Sequence, residues 1–173
     1  MPNTYSLISS NVLSSSAGSV SFNSIPATFT DLILRYSNKT DYADERILGA
    51  IRFNNDSANN YSNTYLNKVD NTVVSGRFSN ISFSYDIESP SATATANTFG
   101  SGEIYIPSYL VATNKPFSDI SFGEINTALD HQIYALANLW RNTAAITSIT
   151  AFPGGGASFV SGSSFYLYGI KNS

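Results

Sequence analysis

From Phe78 to Ile87 the chain alternates: Phe78, Asn80, Ser82, Ser84 and Asp86 on one parity, Ser79, Ile81, Phe83, Tyr85 and Ile87 on the other. Period two with aromatic members marks a half-buried strand, because successive side chains of extended backbone point to opposite faces. The pattern recurs along the chain and dictates the fold class. Asp31 to Asn38 sets Leu32, Leu34 and Tyr36 against Ile33 and Arg35, and Ile47 to Phe53 places Ile47, Gly49, Ile51 and Phe53 together. Glu103 to Pro107 predicts Ile104 and Ile106 inward with Tyr105 outward. Gln132 to Trp140 puts Ile133, Ala135, Ala137 and Leu139 on one parity, which favours strand over helix. Tyr5 to Ser9, Phe117 to Ile125, Ile146 to Phe152 and Phe165 to Ile170 read alike.

Breaks fall between these runs. Ser9 to Ser19 reads as a turn, Pro26 cannot donate to a ladder, Asn54 to Asn63 is a polar loop, and Asp70-Asn71 is a turn. Ser89 to Asn97 reads as a loop and Gly154-Gly155-Gly156 as a break. About nine to eleven short strands result, with no amphipathic helix and no fixed repeat. The expectation is an all-β chain: one domain over residues 1–173, an antiparallel β-sandwich of jelly-roll type.

Composition narrows the function. With no cysteine there is neither a disulfide nor a thiolate metal site, so packing alone must hold the fold. The nine Lys and Arg are spread from Arg35 to Lys171 and the net charge is -3, which excludes the clustered cations that nucleic acid requires. Charged residues make up 12%, about half the usual share, and Ser, Thr and Asn replace them. Neutral polar surface is cheap to desolvate, so this suits a β surface that lies against a partner; an exposed, weakly charged surface fits equally well. No apolar run reaches spanning length, and Met1-Pro2-Asn3-Thr4 is not a signal peptide, so no membrane segment is expected and synthesis in a cytoplasm is.

Chemistry-bearing patterns are sparse. His131 is the sole histidine and reads as a turn or rim residue beside Asp130. Asn54 to Asn59 offers hard oxygens for calcium without the EF-hand spacing, and Asn and Asp are also good turn formers. Asp41, Asp44 and Glu45 precede Arg46 and read as a solvated loop. Two of the twelve acids could cleave a glycosidic bond if about 5–9 Å apart, but spacing along the chain selects no pair. Neither Gly100-Ser101-Gly102 nor Gly154-Gly155-Gly156 completes a nucleophile or phosphate motif. No catalytic residue, metal or cofactor is therefore assigned. Trp140 with Arg141, and tyrosines such as Tyr105 and Tyr109, are the candidate interaction residues, with packing in the core as the competing role.

Several stretches carry a resemblance: Leu7-Ile8-Ser9-Ser10 to Leu13-Ser14-Ser15-Ser16-Ala17, Phe22-Asn23-Ser24-Ile25-Pro26, Phe29-Thr30-Asp31-Leu32, Phe53-Asn54-Asn55-Asp56, Asn60-Tyr61-Ser62, Gly102-Glu103-Ile104-Tyr105-Ile106-Pro107, Leu139-Trp140-Arg141 and Leu167-Tyr168-Gly169-Ile170. Together they resemble small virion structural proteins of tailed bacteriophages, notably those of marine bacteria and cyanobacteria. The likeness runs through most of the chain except about Val69 to Ala96. It implies a β-sandwich displayed on the virion and assembled in the host bacterial cytoplasm. The leading expectation is a capsid decoration (cement) protein bound to the major capsid protein, itself a homo-oligomer, a trimer. The alternative is a receptor- or glycan-binding module of a tail or head fibre, and a third reading is a polysaccharide-cleaving enzyme.

Overall fold

The computed structural model describes residues 4–69, 72–126 and 132–171. Twelve strands and no helix are formed among them. In chain order they are β1 (Tyr5–Val12), β2 (Val20–Phe22), β3 (Asp31–Asn38), β4 (Arg46–Phe53), β5 (Tyr61–Val69), β6 (Thr72–Ile81), β7 (Ser84–Pro90), β8 (Gly100–Ile106), β9 (Lys115–Gly123), β10 (Gln132–Trp140), β11 (Ile149–Phe152) and β12 (Ser164–Ile170). An eight-stranded antiparallel sheet runs β1-β12-β3-β8-β9-β10-β5-β6, and a four-stranded sheet runs β2-β11-β4-β7. The expected sandwich is present, with one strand more than the upper expectation. Its jelly-roll refinement lacks support, since the strands divide eight to four and β8, β9 and β10 form a meander.

The alternation from Phe78 to Ile87 is not one strand. It divides at Ser82-Phe83, where the chain leaves β6 in the wide sheet and enters β7 in the narrow one. Asn80 adopts a left-handed φ of 55° just before the crossing, a conformation Asn tolerates better than most residues. The Ser-rich segment expected as a turn from Ser9 begins later, since β1 runs to Val12. Ser89 and Pro90 end β7 rather than opening a loop, and Pro90 sits on an edge strand, where its missing N–H costs no ladder bond.

The core lies between the sheets. Leu32, Leu34, Ile104, Ile106, Phe117, Phe165 and Leu167 of the wide sheet meet Ile51, Phe53, Ile87 and Ile149 of the narrow one. An aromatic knot anchors one end: Phe53 meets Trp140 and Phe117 edge-on at 5.5 and 5.0 Å, and Tyr61 stacks on Trp140 at 6.3 Å. Such contacts contribute about 0.5–1.5 kcal/mol each beyond area burial. Lys115 is also buried, its Nζ donating to the carbonyls of Val111, Thr113 and Thr143 at 2.6, 2.6 and 3.3 Å.

Candidate functional site

Of the four interaction candidates, the fold uses two as core. Trp140 falls on the inner parity of β10 and is fully buried, its Nε1 donating to Asp56 Oδ2 at 2.8 Å. Tyr109 is buried too, its hydroxyl donating to the Pro26 carbonyl. Neither ring offers a face to a sugar or a partner, so their candidacy as interaction residues is corrected, and the competing role, packing in the core, is the one the fold uses. Arg141 is exposed, but its Nη2 donates to the Asn59 carbonyl and Asn80 Oδ1, each at 2.7 Å, clamping the Asn-rich loop to the end of β6. Tyr105 is half-buried on the outer face of β8, its hydroxyl donating to Asp31 Oδ2 at 2.9 Å.

The Asn54–Asn59 loop spends its oxygens on the protein. Asn54 Oδ1 accepts the Thr147 and Ser148 amides at 2.8 and 3.1 Å. Asp56 Oδ2 accepts from Asn60 at 3.0 Å and Trp140 at 2.8 Å, while Oδ1 accepts the Ala58 amide at 2.9 Å. Burial opposes ionisation of Asp56, yet these hydrogen bonds outweigh it and hold its carboxyl below the ordinary range. Asn54 and Asn55 take left-handed φ values of 51° and 54°, so Asn is needed here for backbone conformation. Among the described residues no cluster of His, Cys, Asp or Glu is placed to hold a metal ion. Asp41 and Asp44 likewise serve turns, accepting the Ser158 and Glu45 amides at 2.7 and 2.8 Å. His131 and the Asp70-Asn71 turn lie outside the described residues.

The acids that the fold does gather are ones the sequence could not select. Asp86 and Glu88 of β7 face Asp119 of β9 inside the sandwich, and all three are buried. Asn138 Nδ2 donates to Asp86 Oδ1 at 2.6 Å, Ser121 Oγ to Asp119 Oδ2 at 3.2 Å, and the Tyr36 hydroxyl to the Asp86 carbonyl at 2.9 Å. Burial pushes Asp86 up to about 7, and burial together with the Asp86 charge raises Asp119 well above the carboxylate range. A paired, protonated carboxyl could act as a general acid, but substrate cannot reach groups sealed between two sheets.

The accessible features lie on the two outer faces. The wide sheet presents register rows Tyr105–Ser118–Ala137–Thr64, Glu103–Ile120–Ala135–Leu66 and Ser101–Phe122–Ile133–Lys68 across β8, β9, β10 and β5. Leu66, Val73, Ile120, Phe122 and Ile133 expose between 40% and 66% of their surface on or beside these rows. The parity Ile133, Ala135, Ala137, Leu139 therefore looks outward, while Tyr134, Leu136, Asn138 and Trp140 look in. The sequence signal misleads here: the outward parity is wholly apolar, while the inward one carries Tyr134 and Asn138, whose amide finds Asp86 between the sheets. Troughs of about 550, 410 and 260 Å³ run between the exposed ridges, floored by residues such as Ser118, Ala137 and Ser101. One charge pair here neutralises itself, Arg35 Nε donating to Glu103 Oε2 at 2.6 Å with the guanidinium over Tyr5 and Tyr168, while Lys68 and Arg77, registered with Ile133 and Thr64, bring two further cations to the face.

The narrow sheet carries a different feature. A groove of about 670 Å³ is walled by Tyr42, Phe83, Tyr85 and Phe152 and floored by Gly154 to Gly156. Arg52 lies over Phe152 and Phe83 at 5.0 and 5.8 Å from the ring centres and braces them. Gly155 and Gly156 hold φ of 59° and 72°, and a Cβ on Gly155 would approach the Tyr42 ring to 2.7 Å, so glycine keeps this turn tight. Comparison of the chain with protein-family models finds no match, and comparison with curated proteins finds no significant relative.

Proposed function

We propose that this protein is a non-enzymatic structural component of a bacteriophage virion, a capsid decoration protein that binds the major capsid protein and stabilises the shell. The observation that carries this reading is the outer face of the wide sheet: broad, sparsely charged, and ridged by exposed Leu66, Val73, Ile120, Phe122 and Ile133. Monomeric proteins rarely expose contiguous apolar patches beyond a few hundred Å², so a face of this kind belongs to an assembly. A molecule of this design works by contact area rather than by bond chemistry. Binding only the assembled shell raises shell stability by mass action, and repetition over a symmetric lattice multiplies the effect. The resemblance to tailed-phage virion proteins points the same way.

The test is co-sedimentation of the purified chain with particles that lack it, followed by icosahedrally averaged imaging. Density at repeated shell positions with delayed thermal rupture is the expected result. Absence from the shell, with the protein still present in intact particles, overturns the decoration reading.

The aromatic groove favours a second reading, a glycan-binding module of a fibre. Its stacking rings are Tyr42, Phe83, Tyr85 and Phe152, in place of Trp140 and Tyr109. Binding of a neutral oligosaccharide that Tyr42→Ala abolishes would support it.

A further inference from the structure

We infer that the outer face of the wide sheet is covered by a second copy of this chain, packed face to face about a two-fold axis. The inference rests on the reading above that this face is buried in an assembly; it gives the face to a second copy, so contact with the shell falls to the remaining surface of the pair.

The first argument is chemical. The ridges are mostly aliphatic: Leu66, Val73, Ile120 and Ile133, with Phe122 beside them and Ala135 and Ala137 between them. Aliphatic ridges are poor platforms for sugars, which stack on aromatic faces. The Arg35–Glu103 pair neutralises itself within one copy, and Lys68 and Arg77 add two separated cations at the β5–β6 end, so the centre of the face carries no strong field to select a charged partner. Homodimer interfaces are the apolar class among protein interfaces, about 65% non-polar at the core.

The second argument is shape. Ridge and trough lie side by side on the same face, with Ile120 and Leu66 flanking the hollow of about 550 Å³ that Ser118 and Ala137 floor. A surface that holds both a knob and its hole can complement itself, which is what an isologous interface requires.

The third argument is size. Strands spaced about 4.8 Å apart, with about eight residues each at about 3.3 Å, make the eight-stranded face roughly 38 by 26 Å, or about 1,000 Å². A stable interface covers about 800 Å² per partner. Face-to-face pairing covers the whole sheet, whereas a three-fold arrangement leaves much of it open.

Size-exclusion chromatography with light scattering on the full chain, from about 1 to 200 μM, tests this. The expected mass is twice 18.6 kDa. Ile133→Lys and Ile120→Glu should each give monomers with unchanged circular dichroism, because both positions are exposed in the single chain, and with a melting temperature that no longer rises with protein concentration as that of the wild-type dimer does. Val111→Lys, exposed in the β8–β9 connection, should leave the dimer intact. A wild-type chain that stays monomeric at the highest concentration overturns the inference, as does a dimer indifferent to Ile133→Lys. A threefold mass overturns the two-fold arrangement in favour of the trimer that the resemblance implies. Co-sedimentation with particles separates the two readings: a monomer that binds shells refutes pairing alone, whereas a dimer that never binds them refutes only the shell assignment.

Discussion

Trp140 and Asp56 show how one hydrogen bond gives a residue its role. The indole N–H needs an acceptor when the ring is buried, and Asp56 provides it while also receiving Asn60 and Ala58. Asp56→Ala leaves the indole donor unsatisfied and frees the loop, so unfolding free energy should fall by about 2–3 kcal/mol in chemical denaturation. Asp56→Asn, which keeps one acceptor, should lose less. The buried acids set the pH dependence. Asp86 is raised to about 7 from an ordinary value near 3.8, so the folded chain binds more protons than the unfolded chain between those limits. Its contribution is fully present below the ordinary value and is lost as pH rises toward 7. Asp56, with its value lowered, acts oppositely, stabilising above the ordinary value and losing that contribution as pH falls through its own. Stability measured by denaturant titration should therefore drop between about pH 4 and pH 7, and Asp86→Asn should flatten that slope. An unchanged slope in the variant would remove Asp86 as its source.

At the scale of elements, the strands were legible and their partners were not. Period two identified β3, β8 and β9 by alternation that suits a core face, and β10 by a parity that turns out to face away from the core. It misread Phe78 to Ile87, since nothing in an alternating pattern states that a chain changes sheets midway; only the left-handed Asn80 marks the crossing. Cross-strand packing is equally silent in sequence. Tyr36 of β3 lies over Gly102, its registered partner on β8, and reaches the Asp86 carbonyl from there. A Cβ on Gly102 would occupy the position of the Tyr36 hydroxyl and ring edge. Gly102→Ala should therefore displace the ring and break that bond, lowering the melting temperature and costing about 2–4 kcal/mol. A melting temperature within error of wild type would show that the ring can shift freely.

For the whole molecule, one core joins both sheets, so neither can lose its partner and keep its buried face. Thermal unfolding followed by near- and far-ultraviolet circular dichroism should give a single coincident transition. Two separated transitions would mean that the wide sheet holds together alone.

The sequence by itself determined the strand content, the absence of disulfides, the low charge and the Asn-rich turn, because these depend on residue identity and on spacing between near neighbours. Tertiary structure alone decided which parity of β10 faces the core, which three acids meet, and that Trp140 and Tyr109 are interior while Leu66, Ile120 and Ile133 are not. The reason is physical. Alternation states that two faces differ; which face turns inward is fixed by long-range pairing that places a second sheet on one side of the first.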